Sequence, residues 1–189
     1  YDAINHKDFI KLALGSKLLF NPGERYEYSN VDYSLLGIII EQVSGMNYEQ
    51  YLYDNIFKPA GMEKTGYLRP KFPKEQLAVG YRDGQRWGTA VDRPWLADGP
   101  GWHLRANGGI LSTVGDMYKW ALALKNNTVL SEAAKQKYFT PHVKEYENGD
   151  SYYGYGWVVQ QSPYHTTQIW HNGGNGVYNA FMGMDLDED

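Results

Sequence analysis

The chain contains no cysteine, which excludes a disulfide framework and thiolate metal sites and leaves the redox compartment open. It has no apolar run long enough to span a bilayer, although 42% of its 189 residues are hydrophobic. Basic residues are outnumbered by acidic ones, 18 to 22, and a net charge of −4 without any basic run argues against a nucleic-acid-binding surface. The length suffices for a hydrophobic core, so we expect one domain or a substantial part of one.

Three arrangements that would indicate other chemistry are also missing. There is no Gly-x-Ser-x-Gly, so the nucleophile elbow of an α/β-hydrolase is unsupported. His165 and His171 lack the spacing and acidic neighbours of a zinc site. Asp185, Asp187 and Asp189 alternate like the start of a calcium loop, but the glycine and glutamate of such a loop are not in the sequence, which favours a solvated strand end. We therefore expect no metal and no cofactor.

The residue pattern that is present predicts helices first and strands last. Apolar spacing predicts helices over Asp8–Leu14, from Val31 to Val43 with a stop at Gly45, and from Asn47 to Pro59. Two further helices are predicted to be capped by Thr113 and by Ser131. The helix capped by Thr113 is expected to bury Val114, Met117, Trp120, Ala121 and Leu124.

Period-two alternation and turn residues predict the strands. Asp83-Gly84 is typical of a hairpin turn, residues 152–160 form a strand by alternation, and residues 168–171 and 177–186 form two more around a Gly-rich turn at 173–176. Helices followed by hairpin-linked strands predict an α+β fold, an antiparallel sheet with flanking helices.

The segment from Phe20 to Gly37 is the most informative part of the sequence. Asn21-Pro22-Gly23 predicts a chain reversal, and Tyr28-Ser29-Asn30 then delivers polar groups to the start of the helix from Val31 to Val43. Capping of that helix by Ser29 or Asn30 is the simplest interpretation of these side chains. A loop held by a core helix is also a common place for reactive groups, which makes the tripeptide a candidate site.

Tyr-x-Asn alone carries little information, because Tyr53-Asp54-Asn55 and Tyr146-Glu147-Asn148 have the same form. In its context of Pro22-Gly23 and Leu35-Leu36-Gly37, however, Tyr28-Ser29-Asn30 resembles the second motif of the serine β-lactamase and penicillin-binding protein family. That family includes class C β-lactamases, D-Ala-D-Ala carboxypeptidases and related esterases. The resemblance continues at Tyr51, Phe57-Lys58-Pro59, Gly61-Met62, Gly108-Gly109, Tyr155-Gly156-Trp157 and His171-Asn172-Gly173.

The family's third motif, a Lys-Thr-Gly-type triad on a strand, has two candidates here. Lys64-Thr65-Gly66 matches literally, but it follows the helix stop at Pro59, so we interpret it as unrelated to catalysis. His171-Asn172-Gly173 lies on a predicted strand and is followed by Gly174. Histidine in place of lysine resembles the carboxypeptidase and aminopeptidase branches, and makes β-lactamase activity less expected.

The family's first motif is Ser-x-x-Lys, and no serine of this chain has a lysine three positions on. The resemblance implies that residues 1–189 are part of a single β-lactamase-like domain. It also implies that the N-terminal strands and nucleophile helix precede the chain, and that a final strand and helix follow it. We expect this chain itself to be inactive. We also expect apolar surface to be exposed on the helix from Val31 to Val43 and on the strand from Tyr153 to Val159, which would favour self-association.

By resemblance, the intact protein is a serine hydrolase that forms an acyl-enzyme on D-amino-acid peptide, β-lactam or ester substrates. Tyr28 would accept the proton of the nucleophile, with stabilisation by the motif's lysine and His171. Asn30 would hold the substrate's amide, and His171 and Asn172 would meet its carboxylate end. The N–H of Gly174 would be an oxyanion donor, and Gly173 would let the substrate backbone approach closely.

The alternative is a non-catalytic module that binds cell-wall peptide or glycan through a cleft containing Trp87, Trp95 and Trp102. For the enzyme, the resemblance implies peptidoglycan stem peptide, β-lactam or ester as the substrate, no nucleic-acid partner, and an extracytoplasmic location in the periplasm or cell envelope.

Overall fold

The structure is a computed structural model that describes residues 3–188. Residues 1, 2 and 189, including Asp189 of the acidic alternation, lie outside the described part. The α-helices are α1 (His6–Leu14), α2 (Asn30–Ser44), α3 (Tyr48–Leu52), α4 (Val114–Lys125) and α5 (Glu132–Tyr138). The strands are β1 (Gly80–Arg82), β2 (Gln85–Gly88), β3 (Val143–Lys144), β4 (Tyr152–Tyr153), β5 (Val158–Gln161), β6 (Thr167–Gly174) and β7 (Asn179–Asp185).

The chain forms two compact units. The first comprises residues 3–18 and Ser29–Leu122, and the second comprises Leu19–Tyr28 and residues 123–188. Within the described residues, no helix is both long enough and apolar enough to cross a membrane. The α+β class predicted from the sequence is confirmed, because helices accompany an antiparallel sheet of order β3-β4-β5-β6-β7.

An aromatic-rich core holds the first unit together. Gly37 of α2 permits a close approach, since a Cβ there would lie 2.4 Å from the Cβ of Ala106 and 3.3 Å from the Trp102 ring. Tyr67 is buried in this core, where its hydroxyl donates to Gly108 O and accepts from Ala106 N. Burial raises its pKa far above the usual value. The buried members are Phe9, Ile38, Tyr48, Leu52, Phe57, Met62, Tyr67 and Trp102.

The predicted helix boundaries are largely confirmed by capping contacts. Ser29 Oγ accepts from Asp32 N at the start of α2, and Gly45 ends that helix in the left-handed conformation at φ 67°. Asn47 caps α3 through Glu49 N. The helix predicted to continue toward Pro59 changes after Leu52 into a π-helical turn, Tyr53–Phe57, which apolar spacing alone does not reveal.

A buried arginine organises the loop before α4. Arg105 is 1% exposed, donates through two nitrogens to Asp98 and through Nε to Pro100 O, and lies over the Trp102 ring. The hydrogen bonds from Arg105 lower the pKa of Asp98 below its usual value. The buried Arg105 guanidinium thus holds this loop through hydrogen bonds, and the Asp98 carboxylate balances its charge.

Asp98→Ala is expected to lower the free energy of unfolding by about 2–3 kcal/mol, because it leaves the Arg105 guanidinium buried without its counter-charge. This loss is smaller than that for a fully buried pair, because the Asp98 side chain is 52% exposed and water can partly replace its carboxylate. Chemical denaturation measures the change. Glu132→Ala is the control and should have a smaller effect, because the Glu132 carboxylate is 64% exposed and Lys135 keeps its hydrogen bond to Lys125 O.

The same pair predicts a pH dependence. A carboxyl whose pKa is lowered by folding contributes its stability in full above the unfolded value, about 3.9, and loses it as the pH falls through the folded value. The stability difference between the wild type and Asp98→Asn should therefore shrink below about pH 4. A difference that stayed constant between pH 6 and pH 3 would contradict the assigned role of Asp98.

The hairpin predicted at Asp83-Gly84 is confirmed. Both residues have positive φ, 51° and 74°, as a type I′ turn requires, and β1 pairs with β2 on either side. This is the clearest case in the chain of a local signal that determines local structure.

The prediction of a single strand over residues 152–160 is wrong, because this segment forms a hairpin. The chain reverses between Gly154 and Trp157, where Gly154 N donates to Trp157 O and Gly156 has φ 86°, and β4 then pairs antiparallel with β5. The two glycines permit the reversal, and a period-two pattern continues unchanged through such a turn. Strand β6 also extends to Gly174, into the predicted turn, and β7 begins at Asn179, two residues later than predicted, so the turn lies at residues 175–178 rather than 173–176.

Exposure of the apolar residues agrees with the sequence in part. Helix α2 exposes Val31, Leu36, Ile39 and Val43, between 44% and 84%, as expected. The corresponding expectation for residues 153–159 holds for Tyr155, which is 57% exposed, and is wrong for Tyr153, Trp157, Val158 and Val159, which are at most 7% exposed. Val114 is also misassigned, since it is 89% exposed at the first turn of α4.

Candidate functional site

Tyr28 lies at the end of the segment Leu19–Tyr28, in the same compact unit as the sheet. Its side chain is 49% exposed. The centroid of its ring is 6.2 Å from that of His171 and 6.1 Å from that of Tyr153, against which it packs edge-on. The fold therefore brings Tyr28 and His171 together although they are far apart in the sequence.

His171 lies on β6 and is held by a side chain that the sequence did not single out. The Tyr153 hydroxyl is 3.0 Å from His171 Nε2, and the two rings meet at 70°. Tyr153 is 7% exposed, and its other face is covered by Tyr26, at 5.3 Å between ring centroids. Tyr28, Tyr153 and His171 thus form a cluster of three rings, the tyrosine–histidine cluster, with an accessible face at Tyr28.

The residues that follow His171 continue along β6 and become exposed. Asn172, Gly173 and Gly174 pair with Phe181, Ala180 and Asn179 of β7. Gly173 lies two positions from His171 and hence on the same face of the strand. A Cβ at Gly173 would meet no described atom within 4 Å, whereas one at Gly174 would lie 3.0 Å from Asn179 Oδ1. There is open space beside Gly173 for a ligand backbone.

Asn30 is the first residue of α2 and is exposed, and the capping contact at this helix start is made by Ser29. The side chain of Asn30 is therefore not used as the helix cap. It belongs to the first compact unit, whereas Tyr28 belongs to the second.

The literal Lys64-Thr65-Gly66 has a different environment from that of His171. Lys64 N and Thr65 Oγ1 both donate to the buried Asp116 carboxylate, and Thr65 Oγ1 also lies 2.8 Å from Ser112 Oγ. Gly66 forms only an isolated bridge with Leu111. The tripeptide is a connection in the first unit, with Lys64 exposed and Thr65 and Gly66 buried, and is not part of the five-stranded sheet.

The tryptophans proposed as a sugar-stacking surface are largely covered. Trp102 is 2% exposed in the core of the first unit, and the Arg93 guanidinium lies 3.6 Å from the centroid of the Trp87 ring. Trp95 packs edge-on against Tyr67. Trp102 is thus excluded as a stacking surface, whereas Trp87 and Trp95 are half-buried against Arg93 and Tyr67.

Sequence reasoning missed Tyr153, although two signals were available. The residue lies next to the Tyr155-Gly156-Trp157 segment that carries part of the family resemblance, and it is followed by a glycine that allows a turn. A hairpin at residues 154–157, rather than a continuous strand, would have directed attention to Tyr153 as a residue of a different strand from Trp157.

An α+β chain with an antiparallel five-stranded sheet and a tyrosine–histidine cluster is consistent with the serine hydrolases of the β-lactamase and penicillin-binding class. The model of the Beta-lactamase family matches residues 1–189. The chain therefore belongs to the Beta-lactamase family.

The relatives of the chain include several penicillin-binding proteins. A penicillin-binding protein of Bacillus subtilis is 31% identical over 98% of this chain and 43% of its own length. A crystal structure of a penicillin-binding protein from Bacillus halodurans, 31% identical, covers 97% of this chain and 57% of its own, with a TM-score of 0.77. A penicillin-binding protein homologue from Pyrococcus abyssi, 26% identical, covers 99% of this chain and 42% of its own, with a TM-score of 0.82.

The chain thus spans about two fifths to three fifths of the length of these relatives. The family and the fold follow from the matches. The activity, substrates and partners of a full-length protein are a separate question.

Proposed function

We propose that this chain supplies the Tyr-x-Asn and His-Asn-Gly parts of a serine acyl-transfer enzyme of the β-lactamase and penicillin-binding type. The substrates are D-amino-acid peptides, β-lactams or esters. A serine outside residues 1–189 attacks the carbonyl, and water or an amine then releases the acyl group. The chain by itself lacks the nucleophile and is inactive.

The observation that supports the proposal most strongly is the tyrosine–histidine cluster. The ring centroid of the half-exposed Tyr28 lies 6.2 Å from that of His171, and His171 is within hydrogen-bonding distance of the buried Tyr153. A tyrosine accepts the proton of a serine as its phenolate, and a neighbouring cation stabilises that form. A protonated His171 and the lysine of a Ser-x-x-Lys motif would each do so.

Each of the other site residues has a chemical role in this proposal. Asn30 offers both a donor and an acceptor for the substrate amide. His171 and Asn172 meet the carboxylate end of the substrate. The N–H of Gly174 stabilises the oxyanion together with the nucleophile's own N–H, and the open space at Gly173 admits the substrate backbone.

Turnover by a full-length protein containing this chain tests the proposal. The gene upstream of residue 1 should encode Ser-x-x-Lys, and the protein should release D-alanine from a D-alanyl-D-alanine peptide or hydrolyse a chromogenic β-lactam or an aryl ester. Binding of the peptide without turnover of any of these three substrates, in a protein with no Ser-x-x-Lys, would instead support the cell-wall binding module.

We place the enzyme in the periplasm or cell envelope, where these peptides occur, with no nucleic-acid partner.

The apolar face of α2 supports a second element of the proposal, self-association of the isolated chain. Val31, Leu36, Ile39 and Val43 are exposed on one helix, and exposed apolar surface of this kind favours association. Sedimentation analysis of the 189-residue chain measures it.

A further inference from the structure

The contact between Tyr153 and His171 constrains the histidine in two ways. The hydroxyl lies at hydrogen-bonding distance from one specific nitrogen, Nε2, at 3.0 Å. The Tyr153 ring is 7% exposed and is packed edge-on against His171. The two contacts therefore hold the imidazole in orientation.

The direction of the hydrogen bond determines the position of the proton. A neutral imidazole has one N–H and one acceptor nitrogen, and the hydrogen bond made by one nitrogen determines which of them carries the proton. A phenol both donates and accepts, so a distance of 3.0 Å is compatible with either direction. If the hydroxyl donates, Nε2 accepts and the proton is on Nδ1. When the imidazole is then protonated, Nε2–H donates to the phenol oxygen and Nδ1 keeps its proton, so that in this arrangement Nδ1 is a donor in both states.

We propose that Tyr153 is a positioning residue of the acyl-transfer site: its hydroxyl donates to Nε2 of His171, so that Nδ1–H is the group that binds the substrate's carboxylate. This inference rests on the proposed function. It implies that carboxylate recognition persists, although more weakly, when the imidazole loses its charge. It also explains why a buried tyrosine lies behind a partly exposed histidine next to the open space at Gly173.

The tautomer is measured directly in the 189-residue chain by NMR with isotope-labelled histidine, because ring-nitrogen shifts distinguish a protonated from an unprotonated nitrogen. His171→Gln identifies the signal. The neutral His171 should be the Nδ1–H form in the wild type and should lose that preference in Tyr153→Phe, which keeps the ring and removes the hydroxyl. Tyr152→Phe, the neighbouring residue on β4, is the control and should behave as the wild type.

Kinetics of the full-length protein give a readout that a purely structural role would not change. Tyr153→Phe should raise KM for a peptide with a free C-terminal carboxylate roughly 2- to 10-fold, the equivalent of one lost hydrogen bond. It should leave KM for the corresponding peptide amide unchanged. The KM of the carboxylate peptide should also rise more steeply with pH in the variant, because its neutral imidazole no longer keeps the proton on Nδ1.

A second pair of variants tests the same idea without changing Tyr153. Asparagine places its amide nitrogen close to the position of Nδ1, and glutamine places its own close to that of Nε2. His171→Asn should therefore bind the carboxylate peptide better than His171→Gln does.

Two results would overturn the inference: an Nε2–H tautomer in the wild type, or equal increases in KM for the peptide and its amide in Tyr153→Phe. A full-length protein could show the predicted tautomer and yet turn over none of the substrates. That result would refute the proposed function but would preserve the role of Tyr153 in orienting His171, so the two failures are distinguishable.

Discussion

Tyr28→Phe in the full-length protein should lower the rate of acylation by roughly 10²-fold or more, since a general base contributes about that much. The change removes one hydroxyl from a side chain that is half exposed, so the packing against His171 and Tyr153 is retained and stability should hardly change. Single-turnover measurement of acyl-enzyme formation reports the effect without interference from deacylation.

Tyr26→Phe is the matched control for this prediction. Tyr26 lies in the same segment and also packs against Tyr153, at 5.3 Å between ring centroids, but it has no assigned part in proton transfer. It should acylate at nearly the wild-type rate. Wild-type acylation by Tyr28→Phe, or an equal loss in Tyr26→Phe, would remove Tyr28 from the mechanism.

The features predicted correctly from the sequence are those in which a few adjacent residues determine the conformation. Asp83-Gly84 takes the two positive φ values of its turn, Ser29 caps α2, and Gly45 ends it. In each case the competing conformations are disfavoured by local sterics or by an unsatisfied N–H, so no tertiary information was needed.

The features that were missed depend on the pairing of segments. Residues 152–160 alternate as a strand would, and only the reversal at Gly154 separates β4 from β5. Tyr153 then pairs with Val158, and Val158 pairs with Trp170, so Tyr153 lies across β5 from the residue next to His171. This proximity depends on the pairing of three strands, and a period-two pattern contains no information about that pairing.

The prediction of a functional tyrosine and histidine has a different origin. Tyr28 and His171 were selected by resemblance to a family, and neither residue is distinguished by composition or by spacing alone. The fold supplies an independent physical reason to consider them together, because two elements separated in the sequence place their rings 6.2 Å apart.

Exposure of the 189-residue chain to a fluorescent penicillin should give no covalent adduct, whereas the full-length protein should be labelled on a serine outside this chain. An acyl-enzyme requires a nucleophile with a base or cation within hydrogen-bond reach. Three serines of this chain are engaged otherwise: Ser29 Oγ accepts from Asp32 N, Ser34 is fully buried and donates to Arg105 O, and Ser112 Oγ contacts Thr65 Oγ1.

Intact-mass measurement after incubation decides this prediction, with circular dichroism to verify that the chain is folded when it is exposed to the penicillin. The full-length protein provides a second test that does not depend on folding of the isolated chain. Its Ser29→Ala and Ser112→Ala variants should remain fully labelled, because these hydroxyls serve the cap of α2 and the contact with Thr65. An adduct on either serine would mean that the nucleophile lies within this chain and that the mechanism must be reassigned.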